Sequence, residues 1–201
     1  LSGGQLTVGT GVTIGIAGIA TFRAGRIDVG DSLQNTSIGQ GAGDAHTTGQ
    51  RNIAIGGESL SANTTGNNNV ALGRNSLKAN TTASSNVAIG QASLLVNTTG
   101  AANVAVGADT LYANTTASNN TAVGFQAMVA NTTGTNNVAV GYRALDANTT
   151  TNSNTAVGYG ALTANTAAEN TAVGTSALED NTTGTRNTAM GVDALQECTT
   201  G

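Results

Sequence analysis

Groups that commonly carry chemistry are scarce in this chain. There is one histidine, His46, one cysteine, Cys198, and eleven carboxylates. A single histidine cannot build a multi-histidine metal site within one chain, and a single cysteine can form no disulfide within it. Without a partner histidine the thiol is also a poor catalytic nucleophile. Cleavage of a glycosidic bond needs two carboxyl groups about 5 to 9 Å apart across a cleft. Glu58, Asp109, Asp146, Glu169, Glu179, Asp180, Asp193 and Glu197 are instead strewn along the chain, with no motif that would make them converge. The expectation is a protein with no catalytic, metal-binding or cofactor-binding residues, hence not an enzyme.

What the chain has is repetition. Asn52-Ile53-Ala54-Ile55-Gly56 returns, lightly edited, with its glycine at 39, 56, 73, 90, 107, 124, 141, 158, 174 and 191. Every step is 17 residues except the one from Gly158 to Gly174, which is 16. So regular a period marks a solenoid, in which each coil touches mainly its neighbours. The residues before each glycine alternate Val, Ile or Thr with Ala, a period of two that predicts a strand. Four residues past the glycine stands a large apolar residue such as Leu60, Leu94 or Met128, expected to close one core with the Val and Ile side chains. Seven past it comes a second asparagine, usually followed by Thr-Thr, which predicts a corner. The five or six residues between glycine and asparagine are too few for a stable helix. The fold expected is all-β, a parallel β-solenoid of 17-residue coils.

Three consequences are specific. Coils should stack in parallel with a rise of about 4.8 Å, placing Asn86, Asn103, Asn120 and Asn137 in one amide ladder and the glycines in a second column. The short repeat should lose its residue in the outer corner after Asn165, with Val173 and Leu178 staying on the core columns. Phe125, Tyr142 and Tyr159 stand directly after three successive marker glycines and should stack into a surface ladder, suited to carbohydrate or protein contacts or to bracing a local face.

Composition bears on assembly. With 28 glycines, no proline or tryptophan and 2% aromatic residues, the chain has too few large side chains for a conventional core. Backbone hydrogen bonding between coils must then be nearly complete, with burial between chains added to it. Ala54, Ala71, Ala88, Ala105, Ala122, Ala139, Ala156, Ala172 and Ala189 form a column too uniform and too apolar for a solvent face. The preferred placement is an interface where symmetry-related coils approach closely in a homotrimer. The alternative is that alanine simply fits a thin coil interior, with Val and Ile partly outward.

The remaining features divide and bound the chain. Residues 1–30 do not follow the period and are read as a glycine-rich β lead-in or shaft segment, with residues 31–201 forming a solenoid of about ten coils. His46 and Cys198 both fall on the second asparagine position, in the first and last repeats. Leu1 at the start, and an end inside a corner at Thr200-Gly201, suggest a piece of something longer. A net charge of -4 without a basic stripe argues against nucleic acid. No apolar run approaches the roughly 18 residues of a membrane helix, so direct membrane insertion is not expected. Period-stacked threonines such as Thr64-Thr65 and Thr98-Thr99 leave an ice-binding solenoid as a lesser alternative, weakened because adjacent threonines point to opposite faces.

Asn-Val-Ala-Ile-Gly at 86–90 and Asn-Val-Ala-Val-Gly at 103–107 and 137–141 resemble the head repeats of trimeric autotransporter adhesins of the Yersinia adhesin type. That resemblance implies a left-handed parallel β-roll, three tightly joined chains, and binding of host matrix or surfaces. The Asn-Thr-Thr-Gly spacers and Gly18-Ile19-Ala20-Thr21-Phe22 are more similar to bacteriophage, especially cyanophage, tail-fibre proteins. Adhesin head repeats run nearer 14 residues, and the adhesins' neck, stalk and membrane anchor are missing here. The resemblance therefore implies a virion tail-fibre segment carrying or presenting a host-receptor-binding surface. Its partners would be further copies of the chain, other virion proteins and a host glycan or protein. A bacterial cell-surface adhesin head is the alternative.

Overall fold

The structure, a computed structural model, describes residues 32–200. The lead-in expected over residues 1–30 lies outside the described residues. Ten three-residue strands follow one another: β1 (Thr36–Ile38), β2 (Ile53–Ile55), β3 (Val70–Leu72), β4 (Val87–Ile89), β5 (Val104–Val106), β6 (Thr121–Val123), β7 (Val138–Val140), β8 (Thr155–Val157), β9 (Thr171–Val173) and β10 (Thr188–Met190). They form one sheet in chain order, all pairs parallel. The register follows the sequence period, with Val87 beside Val104 and Ala88 beside Ala105. The chain is an all-β parallel solenoid.

Hydrogen bonds between coils continue well beyond the strands. In one coil the amides of Leu111, Ala113 and Thr115 donate forward to Ala127, Val129 and Thr132, while those of Asp109 and Asn119 donate back to Gln91 and Ala101. Each coil is thereby tied to both neighbours around its circumference, as a chain poor in large side chains requires.

The two asparagines of each repeat form two buried ladders. In the first, Oδ1 of each asparagine accepts the backbone amide one coil on, at 2.9 Å from Asn103 to Asn86 and 3.0 Å from Asn120 to Asn103. Its Nδ2 reaches across to the next corner, as from Asn103 to the Ala117 carbonyl at 2.8 Å. The expected ladder thus exists, with the backbone amide as its main donor. In the second, side-chain amides bond directly: Asn97 donates to Asn80 at 3.0 Å and Asn114 to Asn97 at 2.8 Å. These second asparagines, expected at outward corners, are fully buried. An amide enclosed without partners would be costly, and in a column each amide finds its partner one coil away.

The core also differs from expectation. The alanines from Ala54 to Ala172 are fully buried within the single chain, and Ala189 nearly so. They face Leu60, Leu77, Leu94, Leu111, Met128, Leu145, Leu162 and Leu178 across the coil interior. The alanine column is therefore not a surface through which a second chain could pack. One cross-section already holds a leucine, two asparagines and a serine, threonine or alanine such as Ser93 or Ala127, leaving room opposite the leucine for a methyl group only. The Val and Ile side chains, expected in the core, point outward.

The glycine after each strand makes the tight turn possible. Gly107 has φ +137°, and a Cβ built there would lie 2.5 Å from the Gly124 carbonyl oxygen and 2.7 Å from its carbon. Both left-handed backbone and close approach exclude larger residues. Further round the coil the conformation is less ordinary. Leu94, Leu111 and Leu145 sit at φ +51°, +50° and +56°, and two other positions per coil, such as Ala92 and Ala102, are left-handed as well.

The short repeat keeps its register as expected, although Val173 continues the outward column of the sheet and not a core column. Thr155 pairs with Thr171 and Val157 with Val173, so the sheet stays in register across the missing residue. Leu162 and Leu178 remain in the core. Asn165 Nδ2 bonds the Ala167 carbonyl two residues on, where Asn131 spans three residues to Gly134. The deletion has tightened the corner.

Candidate functional site

Two surfaces could do work, and each follows from how the coil closes. The first is the outer face of the sheet. Because alanine takes the inward position, both flanking residues of every strand point out, and Ile53, Leu72 and Val140 are each at least 36% exposed. From β2 to β9 this makes a strip of Val, Ile, Leu and Thr. Strands stack about 4.8 Å apart, so the strip runs about 34 Å along the axis. Its other outward residues, such as Val87, Ile89, Val104 and Val106, are half-buried.

A sequence signal for this face existed. The first strand position holds Thr in β1, β6, β8, β9 and β10, whereas the middle position is alanine in every strand except β1. Threonine exchanging with valine suits a surface edge; an invariant methyl suits a tight interior.

The second surface is the aromatic ladder one residue past the marker glycines. Phe125 and Tyr142 stack with centroids 5.8 Å apart and planes 18° from parallel. Tyr142 and Tyr159 stack at 5.0 Å and 9°. Stacking follows from register, since the Arg143 amide donates to the Phe125 carbonyl and the Gly160 amide to that of Tyr142. All three rings are exposed. Beside them Arg143 is bound through Nε and its terminal nitrogen to Asp146, which holds the guanidinium above its ordinary pKa. A further apolar patch, not foreseen, joins exposed Tyr112 to half-buried Leu95, Val96 and Val129 on the turn following.

The residues with chemical potential are not brought together. Among the described residues no group of three His, Cys, Asp or Glu side chains is placed to hold a metal. Glu58 pairs with Lys78, which holds its carboxyl below the usual range, and Glu169 pairs with Arg186. Lys78 and Arg186 belong to the coils that follow their partners, so these pairs lace neighbours together. His46 and Cys198 sit at the two ends of the second asparagine column. Cys198 is free and packs partly against the core. Among the described residues no helix is long and apolar enough to cross a membrane.

Comparison with known proteins returned no match: no family model matches the chain, and neither does any curated protein or solved structure. Functional argument therefore rests on the two surfaces.

Proposed function

We propose that the chain is a non-enzymatic structural segment of a virion fibre, a phage tail fibre carrying or presenting a host-receptor-binding surface, and that it works as a homotrimer. The observation that carries this is the outward-facing Val/Ile/Leu/Thr strip along β2 to β9. A stiff stack of coils with one long apolar side suits closed association around an axis, each copy offering the same strip to the others. Association would bury the strip and leave the threonine corners and the aromatic ladder outside. The similarity of the Asn-Val-Ala-Ile-Gly and Asn-Thr-Thr-Gly motifs to fibre and adhesin repeats supports the same reading. The location that goes with it is the virion.

Sedimentation of the purified chain tests the proposal. The wild type should run as a trimer. Glutamates at Val104 and Val106 together should give a folded monomer, because they place like charges around the axis, whereas Thr116→Glu on the outer corner should change nothing. A wild-type chain that stays monomeric and folded at low micromolar concentration would overturn the trimer.

A further inference from the structure

The aromatic ladder has the form of a recognition site. The ring centroids stand 5.8 and 5.0 Å apart, close to the spacing of the coils that carry them, and all three rings stay exposed along the outside of the stack. The coils on either side place Ala108 and Thr175 at the same position, and neither is long enough to cover the end rings. Tyr159 at the end is 59% exposed.

Beside Tyr159 the wall is cut away. The position two past the marker glycine holds Gln126, Arg143 and Ser176 in the neighbouring coils, all left-handed, but Gly160 here. Its missing side chain leaves a cleft of about 70 Å³ lined by Tyr142, Arg143, Tyr159, Gly160, Thr163 and Glu179.

We propose that the ladder and this cleft bind a neutral pyranose saccharide, its C–H face laid on the exposed ring surface at Tyr159 and one hydroxyl or hydroxymethyl group seated at Gly160. This rests on the fibre reading and names what the presented surface recognises. The negative faces of the rings attract the polarised C–H bonds on one side of a pyranose. Hydroxyls on the rim of the sugar meet polar groups: Glu179 receives Gln196 on Oε2 at 2.8 Å, leaving Oε1 to accept. Charge selects among sugars. Arg143 is already neutralised by Asp146, so Glu179 and Asp180 leave the surroundings negative and disfavour sialic and uronic acids. Size selects between a glycan and a protein. Two centroid steps of 5.8 and 5.0 Å each match about one sugar ring, while a standard protein interface needs roughly 800 Å² per partner, far more than three rings supply.

The test is a neutral oligosaccharide array of glucose, galactose, mannose, rhamnose and N-acetylglucosamine units, with sialyllactose as the acidic comparison, followed by saturation-transfer NMR titration of any bound sugar. At least one neutral oligosaccharide should bind saturably, and sialyllactose should not. Tyr159→Ala should weaken binding about tenfold or more. Gly160→Asn should also weaken it, by filling the cleft with a side chain that Asn75 already carries at the same backbone position. Both variants should sediment as the wild type does. Binding by a chain that runs as a monomer would support this site while removing the trimer. The proposal is overturned by an array with no neutral ligand, by binding that survives both substitutions, or by a change of assembly state in Tyr159→Ala, which would make the ladder a subunit contact. Capture of host cells that persists after their surface glycans are stripped, with no sugar bound, would overturn it in favour of a protein partner.

Discussion

Leu145 and Leu195 occupy the same position in their coils and share a left-handed backbone, but a further described coil follows only Leu145. Leu145 is completely buried; Leu195 is 52% exposed, with Met190 and Val192 beside it at 73% and 70%. Nothing in the local sequence accounts for this. A coil of this solenoid covers little of its own core, and the next coil supplies the lid. Stability here belongs to the junctions between coils, as nearest-neighbour models of repeat proteins hold.

The sharpest way to break that contrast is to put a charge where one coil faces the next. Ala105→Glu should prevent folding of the central coils, because an unpaired carboxylate would lie inside the chain itself. Circular dichroism should show loss of the sheet, and not merely the folded, dissociated chains expected from glutamates at Val104 and Val106. Next in size, Leu145→Ala should cost about 3 kcal/mol, within the usual range for a buried leucine, while Leu195→Ala, measured in a chain ending at Gly201, should cost well under 1 kcal/mol. Urea unfolding of the two variants measures the difference directly, and equal losses would mean that burial does not come from the neighbour.

A smaller effect sharpens the comparison from the polar side. Asn181 Oδ1 is buried without a hydrogen-bond partner, because the following coil offers Cys198 where a side-chain amide would donate. Cys198→Asn should extend the column by one amide and raise stability by about 1 kcal/mol, read as a higher urea midpoint. The smallest concerns the backbone. Ala102 is exposed and left-handed at φ +57°. Ala102→Gly should relieve that strain and raise the midpoint slightly, by about 0.5 kcal/mol after the greater chain entropy of glycine is counted. A lowered midpoint would show that the left-handed corner is held at no strain.

The sequence period carries the stacking plainly. Invariant asparagines at fixed offsets gave the ladders' positions, and constant spacing of Leu162 and Asn165 from Gly158 located the missing residue. Which way the strand faces was harder to read. An alternation of Val-Ala-Val says that two faces differ, but not which is inside, and ordinary experience puts valine inward. The answer depended on how much of the cross-section the asparagines occupy, which no single repeat reveals. Left-handed leucines were illegible too, since Leu94 at φ +51° runs against the usual preference of a bulky residue and is imposed by the closed coil. The aromatic ladder was legible from three successive positions; the cleft beside it was not, because Gly160 gains meaning only when Gln126, Arg143 and Ser176 are seen stacked around it.

The bonds joining the coils point along the stack, and that governs how the molecule bears load. A pull applied between its two chain ends strips the bonds of an end junction in turn, so that junction holds until the last of its ring of bonds opens. When it does, one coil is released and the next junction takes the strain. Seventeen residues drawn straight span up to about 58 Å, so the chain would lengthen in nearly equal steps, with one shorter step where the 16-residue coil lets go. A segment built this way yields under tension by paying out slack in measured lengths while the remaining coils keep their shape.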